Sequence, residues 1–111
     1  MNLIDLLSAE WREFLDISGD YFNGIEQAIA QDSINPEIKN IFKAFQILPT
    51  DVKVVIVGQD PYPNSEDAVG LAFSVQENRK VLPASLRNIR KELESDVNIP
   101  FDAKGDLTPW L

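Results

Sequence analysis

Histidine and cysteine are both absent from this 111-residue chain. Without cysteine there is no disulfide, no thiolate nucleophile and no thiolate metal site. Without histidine the commonest general base and the commonest metal ligand are gone, so Ser–His and Cys–His mechanisms are excluded within the chain. Acid–base chemistry near neutral pH must then fall to carboxylates, or to residues the chain does not contain. No apolar run approaches the ~18 residues that a membrane-spanning helix requires. The opening stretch carries Asp5 and Glu10 where a secretory signal would carry Lys or Arg, so the chain reads as not secreted.

Basic residues are also scarce. Ten Lys and Arg face 18 Asp and Glu, for a net charge of −8. With 44% hydrophobic and 25% charged residues the composition is that of one small globular domain. A chain of this size buries roughly two thirds of its unfolded surface, enough to fold with little margin. The acidic excess is uneven. Arg79, Lys80, Arg87, Arg90 and Lys91 lie in a stretch without Asp or Glu and hold half of the chain's positive charge. Net charge governs the long-range field, whereas phosphate contacts need only a local basic surface. The stretch is therefore either a solvated helix face or a phosphate-binding one.

Local patterning predicts a short helix over 8–15, capped by Ser8, with Trp11, Phe14 and Leu15 as its buried edge. A second helix capped by Ser18 would place Phe22, Ile25 and Ile29 at helical spacing, although Gly24 weakens it. Asn35-Pro36 reads as a third helix start, followed by Ile38, Ile41, Phe42 and Phe45 on one face. Residues 52–57, Val-Lys-Val-Val-Ile-Val, are β-branched nearly throughout and predict a strand buried on both faces of a parallel sheet. Residues 58–67 form a loop and 70–75 a second short strand. Ser85 would cap a last helix reaching about Glu94, with Leu86, Ile89 and Leu93 inward and Arg87, Arg90 and Lys91 outward. Residues 95–111 carry turn residues and scattered apolar anchors. One buried strand after three helices is not a complete α/β domain, and the chain stops at Thr108-Pro109-Trp110-Leu111 without a polar tail. Both features predict the first half of something larger.

Chemistry is best placed at Gly58-Gln59-Asp60-Pro61-Tyr62, directly after the buried run. The carboxyl end of a strand in an open α/β sheet opens into the ligand crevice. Gly58 allows close backbone approach, and Pro61 stiffens the turn and keeps Asp60 extended. The loop would present a fixed carboxylate, an aromatic wall and free backbone N–H groups. It could equally be an Asp-Pro turn that reverses the chain. Likewise Phe73 suits an apolar core, Ser85 an ordinary helix cap, and Tyr62 a cover over the sheet end.

Four segments in order favour the first of these readings. They are Gly58-Gln59-Asp60-Pro61-Tyr62-Pro63, Gly70-Leu71-Ala72-Phe73-Ser74-Val75, Pro83-Ala84-Ser85-Leu86-Arg87-Asn88-Ile89 and Gly105-Asp106-Leu107-Thr108-Pro109-Trp110. In sequence and spacing they resemble the family 1 uracil-DNA glycosylases, closely from 54 to 110 and more weakly before. The resemblance implies an α/β three-layer sandwich, a central, mostly parallel sheet covered by helices, of which residues 1–111 would be the incomplete amino-terminal part of a single domain.

The resemblance also implies roles. The family flips deoxyuridine out of the DNA stack and hydrolyses its N-glycosidic bond, the first step of base-excision repair. Asp60 matches the catalytic aspartate that stabilises an oxocarbenium-like transition state and orients water. The backbone N–H groups of Gln59 and Asp60 match an oxyanion-hole arrangement at the uracil oxygen. Tyr62 matches the side chain that blocks the 5-methyl of thymine, and Phe73 the ring that stacks on uracil. Pro83 and Ser85 match the loop that grips DNA phosphates, with Arg87 beside them on a helix N-terminus suited to anions. No metal and no cofactor are implied. The implied partner is uracil-containing DNA, single- or double-stranded, with no membrane, a monomeric full-length protein and a cytoplasmic or nuclear location.

Departures from the pattern are Pro63 and Val69, where histidine is frequent, and Ala84, where a second proline is frequent. The family's later motifs contain an asparagine that reads uracil, a histidine that stabilises the departing base and a loop that fills the vacated stack. None of these is present, so this chain alone is expected to be inactive. The reading from another class is a non-catalytic acidic α/β module that binds a nucleotide or a protein partner through the Asp60 loop.

Overall fold

A computed structural model describes residues 2–101 and 104–111. Residues 102 and 103, within the expected turn-rich stretch 95–111, lie outside the described residues.

The first helix forms where local signals place it, but of its expected buried edge only Trp11 is buried, Phe14 and Leu15 being exposed. Helix α1 spans Ala9–Leu15, and the Ser8 hydroxyl accepts the Trp11 N–H at 3.3 Å. Helix α2, Asn23–Ile29, starts four residues later than the Ser18 cap predicts. The intervening bonds, Tyr21 N–H to Ser18 O and Asn23 N–H to Asp20 O, join residues three apart and close turns rather than an α-helix. The third expected helix is likewise replaced by 3₁₀ turns at Ile38–Asn40 and Lys43–Gln46, and a further 3₁₀ turn follows at Pro49–Asp51. Apolar residues three apart suit a 3₁₀ turn as well as an α-helix, so the apolar face persists although the helix type differs.

That face builds one of two cores. Leu3, Ile4, Leu7, Trp11 and Phe22 are buried together, with Ile41, Phe42, Phe45 and Val52 packed against them. Trp11 meets Phe45 edge-on at 4.8 Å and donates its indole N–H to Ile47 O at 2.7 Å. The second core is Val75, Leu86 and Leu107, flanked by Tyr62, Phe73, Leu82 and Ile89. Leu86 and Val75 are fully enclosed, and each such side chain contributes about 1.5–3 kcal/mol of burial. Helix α3, Ala84–Asp96, supplies Leu86 inward and exposes Arg87, Arg90 and Lys91. Its N-cap is Pro83, not Ser85, because Pro83 at ψ 153 already makes the switch from extended to helical backbone. Ser85 is instead the second residue of the helix.

No strand is formed among the described residues, and the expected sheet is missing with it. Val54, Val55, Ile56 and Val57 are 78%, 74%, 57% and 86% exposed instead of buried. Among the described residues no backbone group from 53 to 61 has a hydrogen-bond partner. The reason is non-local. A β-branched run becomes a strand only beside another, and the nearest candidate, 70–75, folds into a turn closed by Ser74 N–H to Leu71 O at 3.2 Å. Among the described residues no helix is long and apolar enough to cross a membrane.

Two left-handed glycines fix the segments around the Asp60 loop. Gly70, at φ +96, leaves no room for a Cβ, which would overlap Asn40 O. Gly105, at φ +90, would place a Cβ 2.7 Å from Val75 and 2.8 Å from Leu82. This close approach lets Val75 N–H reach Gly105 O at 2.9 Å and Leu107 N–H reach the buried Ser74 hydroxyl at 2.9 Å.

Candidate active site

The exposed 53–57 run delivers the chain into the loop 58–63, where Pro61 and Pro63 restrict the backbone on either side of Tyr62. Asn35 steadies the far end of the loop by donating its side-chain amide to Pro63 O at 2.9 Å. The loop, the 68–73 turn region and the start of α3 enclose an open cleft of about 760 Å³. That lies within the usual range for small-ligand sites. Gln59, Asp60, Tyr62, Phe73 and Ser85 all line it. Pro83 and Arg87 do not. Pro83 caps α3, and Arg87 is exposed one turn into it.

The Asp60 carboxylate is exposed and makes no hydrogen bond or ion pair with another described residue. It is free to act on whatever enters. Tyr62 is half-buried, and its hydroxyl donates to Phe73 O at 2.8 Å. Phe73 has φ +66, a left-handed backbone that costs a non-glycine residue roughly 1–2 kcal/mol. Ser85 lies in the first turn of α3, where the N–H groups of Ala84, Ser85 and Leu86 have no acceptor among the described residues. Among the described residues no three acidic side chains gather as a metal site would require.

Sequence reasoning missed Asp67. It is only 7% exposed and takes Arg79 in a two-point ion pair, Nε to Oδ1 at 2.8 Å and Nη2 to Oδ2 at 3.2 Å. Arg79 therefore leaves the set of cations available for phosphate. Lys80, Arg87, Arg90 and Lys91 remain exposed, without an ion pair among the described residues. An acid and a base twelve positions apart across a loop carry no periodic signal.

Burial raises the Tyr62 pKa above the usual phenol value of 10.0, the Asp67 carboxylate raises it further, and Arg79 opposes them. A raised folded-state value means that the fold favours the neutral phenol. The resulting stability is fully present below pH 10 and is lost as pH rises through the raised value. Urea melts at stepped pH should thus weaken at alkaline pH, and Tyr62→Phe should flatten that decline. An equal decline in the variant would remove Tyr62 as its source.

No family model matches the chain. Curated proteins do. The chain is 55% identical over 75 residues to Uracil-DNA glycosylase 1 of Streptomyces coelicolor, covering 68% of this chain and 33% of that protein. It is 40% identical over 115 aligned positions to Uracil-DNA glycosylase 1 of Streptomyces avermitilis, covering 97% of this chain and 50% of the relative. The uracil-DNA glycosylase of Campylobacter jejuni strain RM1221 is 41% identical over 115 positions, covering 94% and 48%. The chain thus spans a third to a half of the length of these curated relatives. At 40–41% identity over 94–97% of its residues, the chain belongs to the uracil-DNA glycosylase family and accounts for part of the length its relatives have.

Proposed function

We propose that this chain supplies part of a uracil-DNA glycosylase that hydrolyses the N-glycosidic bond of deoxyuridine flipped out of DNA. Residues 1–111 are the amino-terminal part of one α/β sandwich domain, and 52–57 becomes a strand of its central parallel sheet when the remainder is present. The enzyme acts as a monomer on single- or double-stranded DNA, without metal or cofactor, in the compartment that holds the DNA. One observation carries the reading. Residues as far apart in the chain as Gln59, Asp60, Tyr62, Phe73 and Ser85 converge on a single cleft.

Each has a task that its placement permits. The free Asp60 carboxylate stabilises positive charge growing on the sugar and orients the attacking water. The N–H groups of Gln59 and Asp60, unpaired among the described residues, face the uracil oxygen as negative charge leaves with the base. Tyr62 excludes a 5-methyl group by bulk, and Phe73 offers a stacking face. Ser85, with the N–H groups of the α3 terminus that are unpaired among the described residues, receives a phosphate beside the flipped nucleotide, with Pro83 shaping the turn. Arg87, Arg90 and Lys91 extend a basic face along the same helix.

The test is a chimaera in which this chain replaces its matching segment of the Streptomyces avermitilis relative. It should release uracil but not thymine from single-stranded DNA, and Tyr62→Ala should add measurable thymine release. A folded chimaera that releases no uracil would return the chain to the binding-module reading. Neutralising Arg87, Arg90 and Lys91 together should flatten the log–log salt dependence of DNA binding by up to about one unit for each phosphate no longer neutralised. An unchanged slope would make that face merely solvated.

A further inference from the structure

We propose that Tyr62 is a positioning residue for Phe73, its hydroxyl latching a strained turn that aims the Phe73 ring at the cleft. The proposal rests on the functional reading above for the purpose of the ring, but the latch itself stands on geometry. Ser74 N–H closes a four-residue turn onto Leu71 O at 3.2 Å, which puts Phe73 third in the turn. Its φ of +66 is the conformation that turns normally assign to Gly or Asn at that position. A phenylalanine there is held against its own backbone preference, and such residues persist only where their surroundings over-determine them.

The surroundings are visible on both sides. Downstream, Ser74 is fully buried with its hydroxyl accepting Leu107 N–H, and Val75 is tied to Gly105 O. The Phe73 carbonyl has no backbone donor among the described residues, and its partner is the Tyr62 hydroxyl at 2.8 Å. Tyr62 is a stiff anchor, because prolines on both sides limit its movement. Glycine at 73 would relax the turn but would carry no ring. The strain is the consequence of placing an aromatic face where the backbone would choose glycine.

Bulk and latch are separable, since Tyr62→Phe keeps the ring and removes only the donor. In the 111-residue chain, this variant should weaken the strong intraresidue amide–Hα Overhauser effect that Phe73 gives at positive φ. It should also speed exchange of the Ser74 amide by about tenfold. In the chimaera, uracil release should fall by about tenfold in kcat/KM while thymine stays uncut, because the blocking ring remains. An unchanged Phe73 signal and Ser74 exchange rate overturn the latch. A loosened turn with undiminished uracil release overturns the positioning role. Should the unsubstituted chimaera release no uracil, the functional reading fails, while the two resonance measurements still decide the latch.

Discussion

Residues 1–111 expressed alone should release uracil from single-stranded DNA at least about 10²-fold more slowly than the chimaera that embeds them. Asp60 and Phe73 line the cleft, but the chain holds no histidine to stabilise a departing uracil anion. Loss of one preorganised donor of that kind typically costs ~10²–10³ in rate. The cleft is also bordered by a segment, 52–57, whose backbone from 53 onward finds no partner among the described residues. A catalytic carboxylate delivered by such a segment is poorly held, and small misplacements are expensive in rate. Both proteins are assayed side by side on one oligonucleotide. Activity of the isolated chain within about tenfold of the chimaera would show that the additional length of the relatives is dispensable.

Asp60→Asn within the chimaera should lower kcat by roughly 10²–10⁴ while leaving KM nearly unchanged. Asparagine keeps the shape of the side chain and removes only its charge. Asp60 is exposed and makes no hydrogen bond or ion pair with another described residue, so the substitution breaks no interaction that holds the fold. The lost function is the stabilisation of a developing cation, which a neutral amide cannot supply. Single-turnover cleavage separates this from product release. A loss of less than about tenfold would take Asp60 out of the chemistry and leave it as a turn residue.

The helices at either end are legible in the sequence because their signals are local. Ser8 caps α1 and the Leu86, Ile89, Leu93 spacing marks α3, each within a few residues of the backbone it controls. The middle is less legible. Ile38, Ile41, Phe42 and Phe45 recur at a spacing shared by α and 3₁₀ geometry, and the sequence does not choose between them. The run 52–57 misleads for a different reason, since β-branching describes what a segment can do beside a neighbour and says nothing of whether one is there. Of the seven residues the sequence singles out for the site, five line one cleft. Pro83 and Arg87 stand off it, and the Asp67–Arg79 pair and the left-handed Phe73 are not foreseeable from the sequence. Those last two features are long-range or strained, and neither leaves a pattern in residue spacing.

The exposed run at 54–57 makes continuity of the polypeptide a physical variable. Any segment that comes to lie along it from the same polypeptide does so by a first-order process, at an effective concentration of order millimolar for a short tether. The same segment offered as a separate molecule must arrive by a second-order process, in competition with every other apolar surface in solution. At micromolar protein the two situations differ by about a thousandfold in local concentration, and so by about the same factor in the ratio of covered to uncovered run. The peptide link is then a stabilising element in its own right, and cutting it would loosen the Asp60 loop without touching a single residue of the cleft.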